Sequence, residues 1–242
     1  MIPLLAAGGA IDVAAIVDKA ASSAAASSAA SSTPGSLGAV SMVVLLTVVT
    51  LLPAIVLSCT CFVRFVVVLG FVRTGIGTQS APPNQVLVGL ALFMAVFTSA
   101  PVAMDMYASG GKPYLAGTMD EKQALEAATP PLRDFLLRRT AESDLSLFYD
   151  YSSAPRPTTA ADVPLRIAIP AFIVSELRTA FKIGLTILLP FLVIDLLAAT
   201  ILTSLGMVVV PPQVVALPIK LLVFVMIDGW HLVVQSLLRG AA

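Results

Sequence analysis

Charged residues are scarce in this chain of 242 residues. They make up 12% of it, whereas soluble domains contain about 25%. The formal net charge is zero, so the chain lacks the basic excess that is typical of nucleic-acid-binding proteins. Hydrophobic residues make up 58% of the chain, and they occur in runs long enough to cross a bilayer, for which about 20 residues suffice. The composition therefore indicates an integral membrane protein, in contact with lipid and without a nucleic-acid partner.

Histidine and cysteine are nearly absent as well. The single histidine, His231, excludes a zinc site built from cysteine and histidine pairs. Cys59 and Cys61 lie two residues apart in an apolar run, where a helix would point them to different sides, so we interpret them as small buried residues rather than a disulfide. The sequence also contains no Walker motif and no cluster of metal ligands. We predict that the protein is not an enzyme and needs no metal or cofactor.

The apolar runs divide the chain into four parts. Residues 1–38 form a leader with an Ala/Ser tract, but without the basic first part of a signal peptide, so a cleaved signal and a disordered leader both stay open. Residues 39–104 contain N-terminal membrane helices. Residues 105–162 resemble a soluble segment with amphipathic helices. Residues 163–242 predict a C-terminal helical hairpin.

Prolines set the helix boundaries that we expect. Pro53 should kink the first apolar run, and Pro130 should begin a helix. Residues 163–206 are too long for one span, so we expect two helical pieces there. A turn at Gly206–Pro212 should then lead into a final helix over Gln213–Leu238.

The distribution of positive charge predicts the topology. The connection at 64–85 contains two arginines and no acidic residue, so it should be cytoplasmic. Residues 105–162 have no basic excess, so this segment should be extracytoplasmic.

Six charged residues inside apolar sequence are the candidate functional groups. They are Glu176, Arg178, Lys182, Asp195, Lys220 and Asp228. A bare charge in hydrocarbon costs about 3 kcal/mol, so such groups normally face protein or a water path. They could pair between neighbouring helices or subunits, or they could line a path for ions, protons or polypeptide. Their alternating sign favours pairing, and we expect Asp195 and Lys220 to meet across the turn.

The turn itself, GMVVVPP at Gly206–Pro212, is entirely apolar. Prolines at membrane depth suggest backbone that is buried in protein or that lines a cavity. One interpretation is a buried hairpin loop. The other is an apolar constriction, because hydrophobic rings can close a pore by dewetting or by filling it.

Five ordered blocks between about residues 42 and 238 carry a resemblance to a known family. They are LLTVVTLLPAIVL, GTQSAPPNQVLVGLALFMAVFTSAPV, PAFIVSELRTAFKIG, LPFLVIDLLAATILTSLGM and VPPQVVALPIKLLVFVMIDGW. With these blocks the sequence resembles the FliP family of flagellar biosynthetic proteins, whose injectisome relatives form the SctR branch. The PPNQVL block and the long segment before residue 163 are more similar to the flagellar branch.

The resemblance implies an all-α polytopic membrane protein of long helical hairpins, assembling into a cone-like oligomer. It implies a core channel-forming subunit of the flagellar type III protein export gate, which conducts unfolded flagellar subunits across the bacterial inner membrane at the basal body. The implied partners are further copies of the chain in a pentameric ring, FliQ, FliR, FlhB, FlhA and the exported subunits. The alternatives are an injectisome-type secretion subunit and a proton-coupled secondary transporter that uses Asp195, Lys220 and Asp228 as a relay.

The resemblance also implies a role for the turn. In the family, the turn before the diproline is rich in methionine and contributes to a gasket around the channel constriction. The matching positions here are Met207, Val208 and Val209. Methionine is flexible, whereas valine is stiff at χ1. We therefore expect either a less conformable seal or methionines supplied by other subunits.

Overall fold

A computed structural model describes residues 37–78, 81–152, 155–157, 159–207 and 209–241. Most of the leader and Val208 of the turn lie outside these described residues. Within them, all regular secondary structure is helical. The all-α fold expected from the sequence is confirmed.

The described residues form nine α-helices. They are α1 (Leu37–Ser58), α2 (Phe62–Ile76), α3 (Asn84–Met106), α4 (Lys112–Leu115), α5 (Glu121–Arg139), α6 (Glu142–Asp150), α7 (Leu165–Ser204), α8 (Pro212–Met226) and α9 (Gly229–Ala241), with a π-helical turn at Tyr107–Gly111 and a 3-10 turn at Ala160–Asp162. Two helical stretches, Asn84–Leu115 and α7, are long and apolar enough to cross a membrane. The bent pairs α1–α2 and α8–α9 raise that number to at most four if each pair forms one span.

The chain divides into two compact units. The first contains residues up to Ile55 together with Met104–Thr129, and the second contains Val56–Ala103 and Pro130–Ala242. In the first unit the π-helical turn packs closely on α5, where a Cβ on Gly110 would lie 2.3 Å from the carbonyl oxygen of Ala124. That position therefore requires glycine.

The core of the second unit lies along α7, which packs mainly against α2 and also against α6 and α8. Phe65 and Leu69 of α2 and Phe172 of α7 are fully buried. Phe172 also packs against Phe135 of α5, with 6.1 Å between the ring centroids. Burying such side chains contributes roughly 2 kcal/mol each, so the core holds α2, α5 and α7 together.

Two glycines let α2 and α7 approach each other closely. A Cβ on Gly184 of α7 would lie 2.2 Å from Cδ2 of Phe71 on α2. Reciprocally, a Cβ on Gly75 of α2 would lie 2.7 Å from Cδ2 of Phe191 on α7. Each helix thus inserts an aromatic ring into the space beside a glycine of the other.

We predict that Gly184→Ala destabilises the protein by about 1–3 kcal/mol, because the new methyl group overlaps the Phe71 ring. Adding Phe71→Leu should recover much of the loss by removing part of that ring. Gly89→Ala on α3 is the matched control, since a Cβ at Gly89 meets nothing within 4 Å. Thermal unfolding in detergent gives the measurement. A Gly184→Ala variant as stable as the control would contradict this packing.

Prolines break fewer helices than the sequence suggests. The helix α7 is a single element of 40 residues that contains Pro170 and Pro190, so the expectation of two helical pieces is wrong. Pro53 lies inside α1, and Pro130 lies inside α5 rather than at its start. Proline removes one backbone hydrogen bond, but neighbouring elements can hold the helix axis across that gap.

Near the C-terminus, by contrast, the structure contains a helix break that the sequence does not predict. The predicted final helix is broken at Ile227 and Asp228, so α8 and α9 are bent by 62°. Asp228 has a left-handed backbone with φ of 50°. A Cβ on the next residue, Gly229, would lie 2.3 Å from the Phe224 ring. The Asp-Gly pair therefore produces the bend, since both residue types tolerate left-handed or crowded backbone.

Candidate functional site

Among the described residues, the most deeply buried charged side chain is that of Glu176 on α7, which is 0% exposed. Its partner is Arg64 of α2, whose Nε donates to Oε2 at 2.9 Å and whose Nη2 contacts Oε1. Two parallel contacts of this kind fix the relative position of the two side chains. The sequence singles out Glu176 but predicts a connection at 64–85 that includes Arg64. That prediction is wrong for residues 64–76, which lie in α2.

Arg64 and Arg139 also hold the C-terminal end of α9. Nη1 of Arg64 donates to the carbonyl oxygen of Gly240, and Nη2 of Arg139 contacts that of Ala241. Carbonyl groups at a helix C-terminus lack partners within the helix, and positive charge there is favourable. These contacts together connect α2 with α7 and both α2 and α5 with the end of α9.

A second group of polar contacts joins α6 to α7. Asp144, in the first turn of α6, is 1% exposed. The hydroxyl of Ser175 donates to Oδ2 of Asp144 at 2.6 Å, and Nη2 of Arg178 contacts Oδ1. Nη1 of Arg178 also donates to the hydroxyl of Ser143 at 3.0 Å. Arg178 therefore compensates a charge of its own chain, which the sequence did not reveal.

A third pair, Asp195 and Lys220, joins the two helices of the C-terminal hairpin. Nζ of Lys220 on α8 donates to Oδ2 of Asp195 on α7 at 2.6 Å. The Lys220 side chain is 6% exposed, and that of Asp195 is 39% exposed. These are the two side chains whose approach across the turn we expected from the sequence.

Lys182 and Asp228 behave differently from the other candidates. Both are exposed. Neither forms an ion pair with any residue in the ranges that the structure describes. Lys220 and Asp228 are eight positions apart, which would place them near one face of a continuous helix, but the bend between α8 and α9 separates them. A role for Lys182 and Asp228 between subunits stays a prediction.

Substitutions at Asp228 can separate its backbone role from its charge. Because alanine costs about 1–2 kcal/mol in left-handed backbone, we expect Asp228→Ala to lower the thermal unfolding midpoint, whereas Asp228→Gly and Asp228→Asn should fold normally. If the charge has a separate role, all three variants will impair function, although only the alanine variant loses stability. Equal stability of Ala and Gly would contradict the backbone role.

The end of the α7–α8 hairpin has a defined geometry. Gly206, with φ of 73°, donates its N–H to the carbonyl of Thr203, and Met207 donates to that of Leu202 at 3.0 Å. This pair of bonds is the Schellman arrangement, which ends a helix at a left-handed glycine. Pro212 then begins α8, at a position where its missing N–H costs nothing.

The described side chains of this turn point away from the protein. Val209 is 95% exposed, and Met207 is 47% exposed. Leu205, just before them, is also exposed. Two of the three positions expected to form a constriction are therefore available to other molecules, and the third, Val208, lies outside the described residues.

Within the ranges that the structure describes, no group of three or more histidine, cysteine, aspartate or glutamate residues could hold a metal ion. His231 is exposed on α9. Among the described residues, three ion pairs therefore connect helices, namely Arg64–Glu176, Arg178–Asp144 and Asp195–Lys220.

Comparisons with known proteins identify similar chains. The model of the FliP family matches residues 45–237. Flagellar biosynthetic protein FliP of Caulobacter vibrioides is 48% identical over 206 residues, which cover 84% of this chain and 77% of that protein. The protein of the same name from Bacillus subtilis is 44% identical, covering 83% and 91%. That of Pectobacterium carotovorum is 45% identical, covering 84% and 78%.

Proposed function

The chain belongs to the FliP family and is a component of flagellar export, and from that premise we propose that it forms the protein-conducting channel itself. In this proposal, unfolded flagellar subunits cross the bacterial inner membrane through a ring of such chains at the flagellar basal body. The chain provides a conduit, and other components supply the energy.

The observation that carries the proposal is the apolar hairpin with an exposed apolar end. Val209 at the turn is almost fully exposed, and apolar side chains along both helices are also exposed, such as Leu196 on α7 at 67% and Val225 on α8 at 72%. Exposed apolar surface of this extent marks a site covered by lipid or by other chains. The Asp195–Lys220 pair holds the two helices of the hairpin together.

A ring of such hairpins would bring several copies of the turn to one axis. Met207, Val208 and Val209 of each copy would then form a narrow apolar constriction. Such a ring excludes water and ions without a charged gate. It could still widen for a polypeptide, because only side-chain contacts would have to separate.

The resemblance to the FliP family names the proposed partners, and the exposed apolar surface would accommodate them. Further copies of the chain, in a pentameric ring, and the FliQ and FliR proteins would cover the apolar faces of α7 and α8. FlhA and FlhB would act at the entrance. The relatives described above all have names of flagellar proteins, which supports a flagellar rather than an injectisome assembly.

Site-specific photocrosslinking in the source bacterium tests the proposal. A photoreactive amino acid replaces Val209, and export is stalled with a flagellar subunit fused to a domain that cannot unfold. We expect a crosslink to the stalled subunit from position 209. Phe93 on α3 is the matched control, since it is 77% exposed and apolar but lies outside the turn.

The control must remain uncrosslinked for the assignment to hold. Crosslinks of equal strength from 93 and 209 would mean that the turn has no special access to the substrate. Absence of any crosslink from position 209, in an assembled and stalled complex, would contradict the conduit.

A further inference from the structure

Two of the six charges that the sequence places in apolar surroundings have no opposite charge beside them. The other four each contact an opposite charge of the same chain; they are Glu176, Arg178, Asp195 and Lys220. Lys182 and Asp228, by contrast, form no ion pair with any described residue. One of the two is positive and the other is negative, so their charges are complementary.

Both charges lie in helical stretches that can cross a membrane. Lys182 is on α7, which is long and apolar enough for a span, and Asp228 lies at the bend of the α8–α9 pair, which would form one bent span. Their surroundings are apolar, since Leu185 near Lys182 is 51% exposed and Ile227 next to Asp228 is 52% exposed. A charge in such a place normally faces protein or a water path, so each needs a cover from outside the described part of its own chain.

The two charges lie on different helical elements. Residues two positions apart in a helix point about 200° apart, and Lys182 is two positions from both Ala180 and Gly184, which are buried. Lys182 therefore points away from the helices against which α7 packs. Asp228 is exposed on the connection between α8 and α9. The chain thus presents a positive group and a negative group at two distinct places on its surface.

The two charges also lie at similar heights along the hairpin. The Asp195–Lys220 contact fixes the register of α7 against α8. Asp228 comes eight positions after Lys220 and Ile187 comes eight positions before Asp195, so Asp228 is level with Ile187. Ile187 and both neighbours of Asp228 line one apolar groove, in agreement with this register. Lys182 lies about 7–8 Å further along α7 at 1.5 Å per residue, an offset that its flexible stem can largely bridge.

We infer that Lys182 of one copy pairs with Asp228 of the neighbouring copy. The inference rests on the proposed function, because it needs several hairpins side by side in a ring. A ring closes through a contact between two different surface patches, repeated from copy to copy. Opposite charges at similar heights on different helices meet that requirement. The pair would cover both charges, and it would fix the register between neighbouring copies.

Photocrosslinking in the detergent-extracted complex tests the contact. A photoreactive amino acid replaces Leu185, one helical turn from Lys182, so that both charges are kept. Two differently tagged copies are expressed together, which identifies crosslinks between chains. We expect crosslinks from position 185 to residues 226–230 of another copy, as mapped by mass spectrometry. Phe93 on α3, which is 77% exposed, is the control position and should give no crosslink to that segment.

Charge variants measure the pairing itself. Lys182→Met and Asp228→Asn each remove one charge, and asparagine tolerates left-handed backbone. Each variant alone should lower the fraction of assembled ring in native mass spectrometry about fivefold, because the remaining charge is uncompensated, whereas the double variant should lose no more than either one. Lys122→Met and Asp134→Asn, at exposed positions of α5, are the matched controls and should leave the ring unchanged.

The outcomes distinguish this pair from the proposed function. A ring of normal size without the crosslink from 185 to 226–230, or with strictly additive losses in the variants, would overturn the inference and leave the conduit in place. Crosslinks from 185 to a different protein alone would assign Lys182 to that partner and also overturn the pairing. If the unmodified chain forms no ring in the extracted complex, the proposed function fails together with the inference.

Discussion

Replacing Glu176 by glutamine is expected to remove most of the folded protein from the membrane. The substitution keeps the size of the side chain but leaves Arg64, which is 4% exposed, without its compensating charge. Breaking a buried ion pair in this way costs about 3–5 kcal/mol. Arg64 keeps its bond to the Gly240 carbonyl, so we expect the lower part of that range.

The measurement is the amount of monodisperse protein after detergent extraction, with its thermal unfolding midpoint. Glu126→Gln is the matched control, because Glu126 is exposed on α5. Replacing both Arg64 and Glu176 by methionine should restore much of the stability, since two apolar side chains of similar size can substitute for a buried pair. A Glu176→Gln variant as stable as the control would show that the pair contributes little.

The second large effect is expected at Asp195 and Lys220, and it should be asymmetric. Asp195→Asn leaves a nearly buried ammonium without its carboxylate, whereas Lys220→Met leaves a carboxylate that is 39% exposed. Water can stabilise the exposed carboxylate but reaches the ammonium poorly. We therefore expect Asp195→Asn to impair assembly and export more strongly than Lys220→Met.

A double-mutant cycle measures the coupling between the two side chains. For residues in direct contact we expect an interaction energy of about 1–3 kcal/mol, so that the double variant loses less than the sum of the single variants. The exchanged pair, Asp195→Lys with Lys220→Asp, provides a second measurement with both charges retained. Strictly additive losses in both experiments would contradict a structural pairing.

The same cycle separates pairing from a proton relay. A relay needs groups that gain and lose protons, so a double variant with asparagine and methionine could not support it. If that variant exports flagellar subunits better than the asparagine variant alone, the pair acts by holding α7 to α8. If export requires both ionisable groups, the transporter alternative gains support.

The sequence predicts the helical fold and one of the three ion pairs that connect helices among the described residues. In lipid, long apolar runs form helices, because each backbone N–H and C=O group then bonds within its own segment. Asp195 and Lys220 lie at similar distances on either side of the turn, so a hairpin brings them together. The local sequence between them contains all the information that this contact requires.

The other buried contacts depend on information that one sequence does not display. Arg64 and Glu176 are separated by 112 positions, and no local pattern connects them. Asp144 lies in a segment with many acidic residues, none of which stands out by type or spacing. Their partners become apparent only once the packing of α2 and α6 against α7 is known.

Helix boundaries show a different limit of sequence reasoning. Proline costs about 3 kcal/mol inside a helix, and that penalty suggests breaks at Pro170 and Pro190. The apolar packing along α7 outweighs it, and the helix continues. At Asp228 the chain bends although the sequence predicts one continuous helix. The Asp-Gly pair marks turns, but here it lies inside an apolar run, and the crowding of Gly229 against Phe224 accompanies the bend.

The contact between Arg64 and Gly240 has a consequence for biosynthesis. The two residues are separated by 176 positions, so the ribosome synthesises the last acceptor of Arg64 long after Arg64 itself. Until then the N-terminal helices enter the membrane with a guanidinium that lacks part of its final environment. Long-range contacts of this kind form late and slowly. The newly inserted chain must therefore wait, with its first helices already in lipid, for α9 to complete the core.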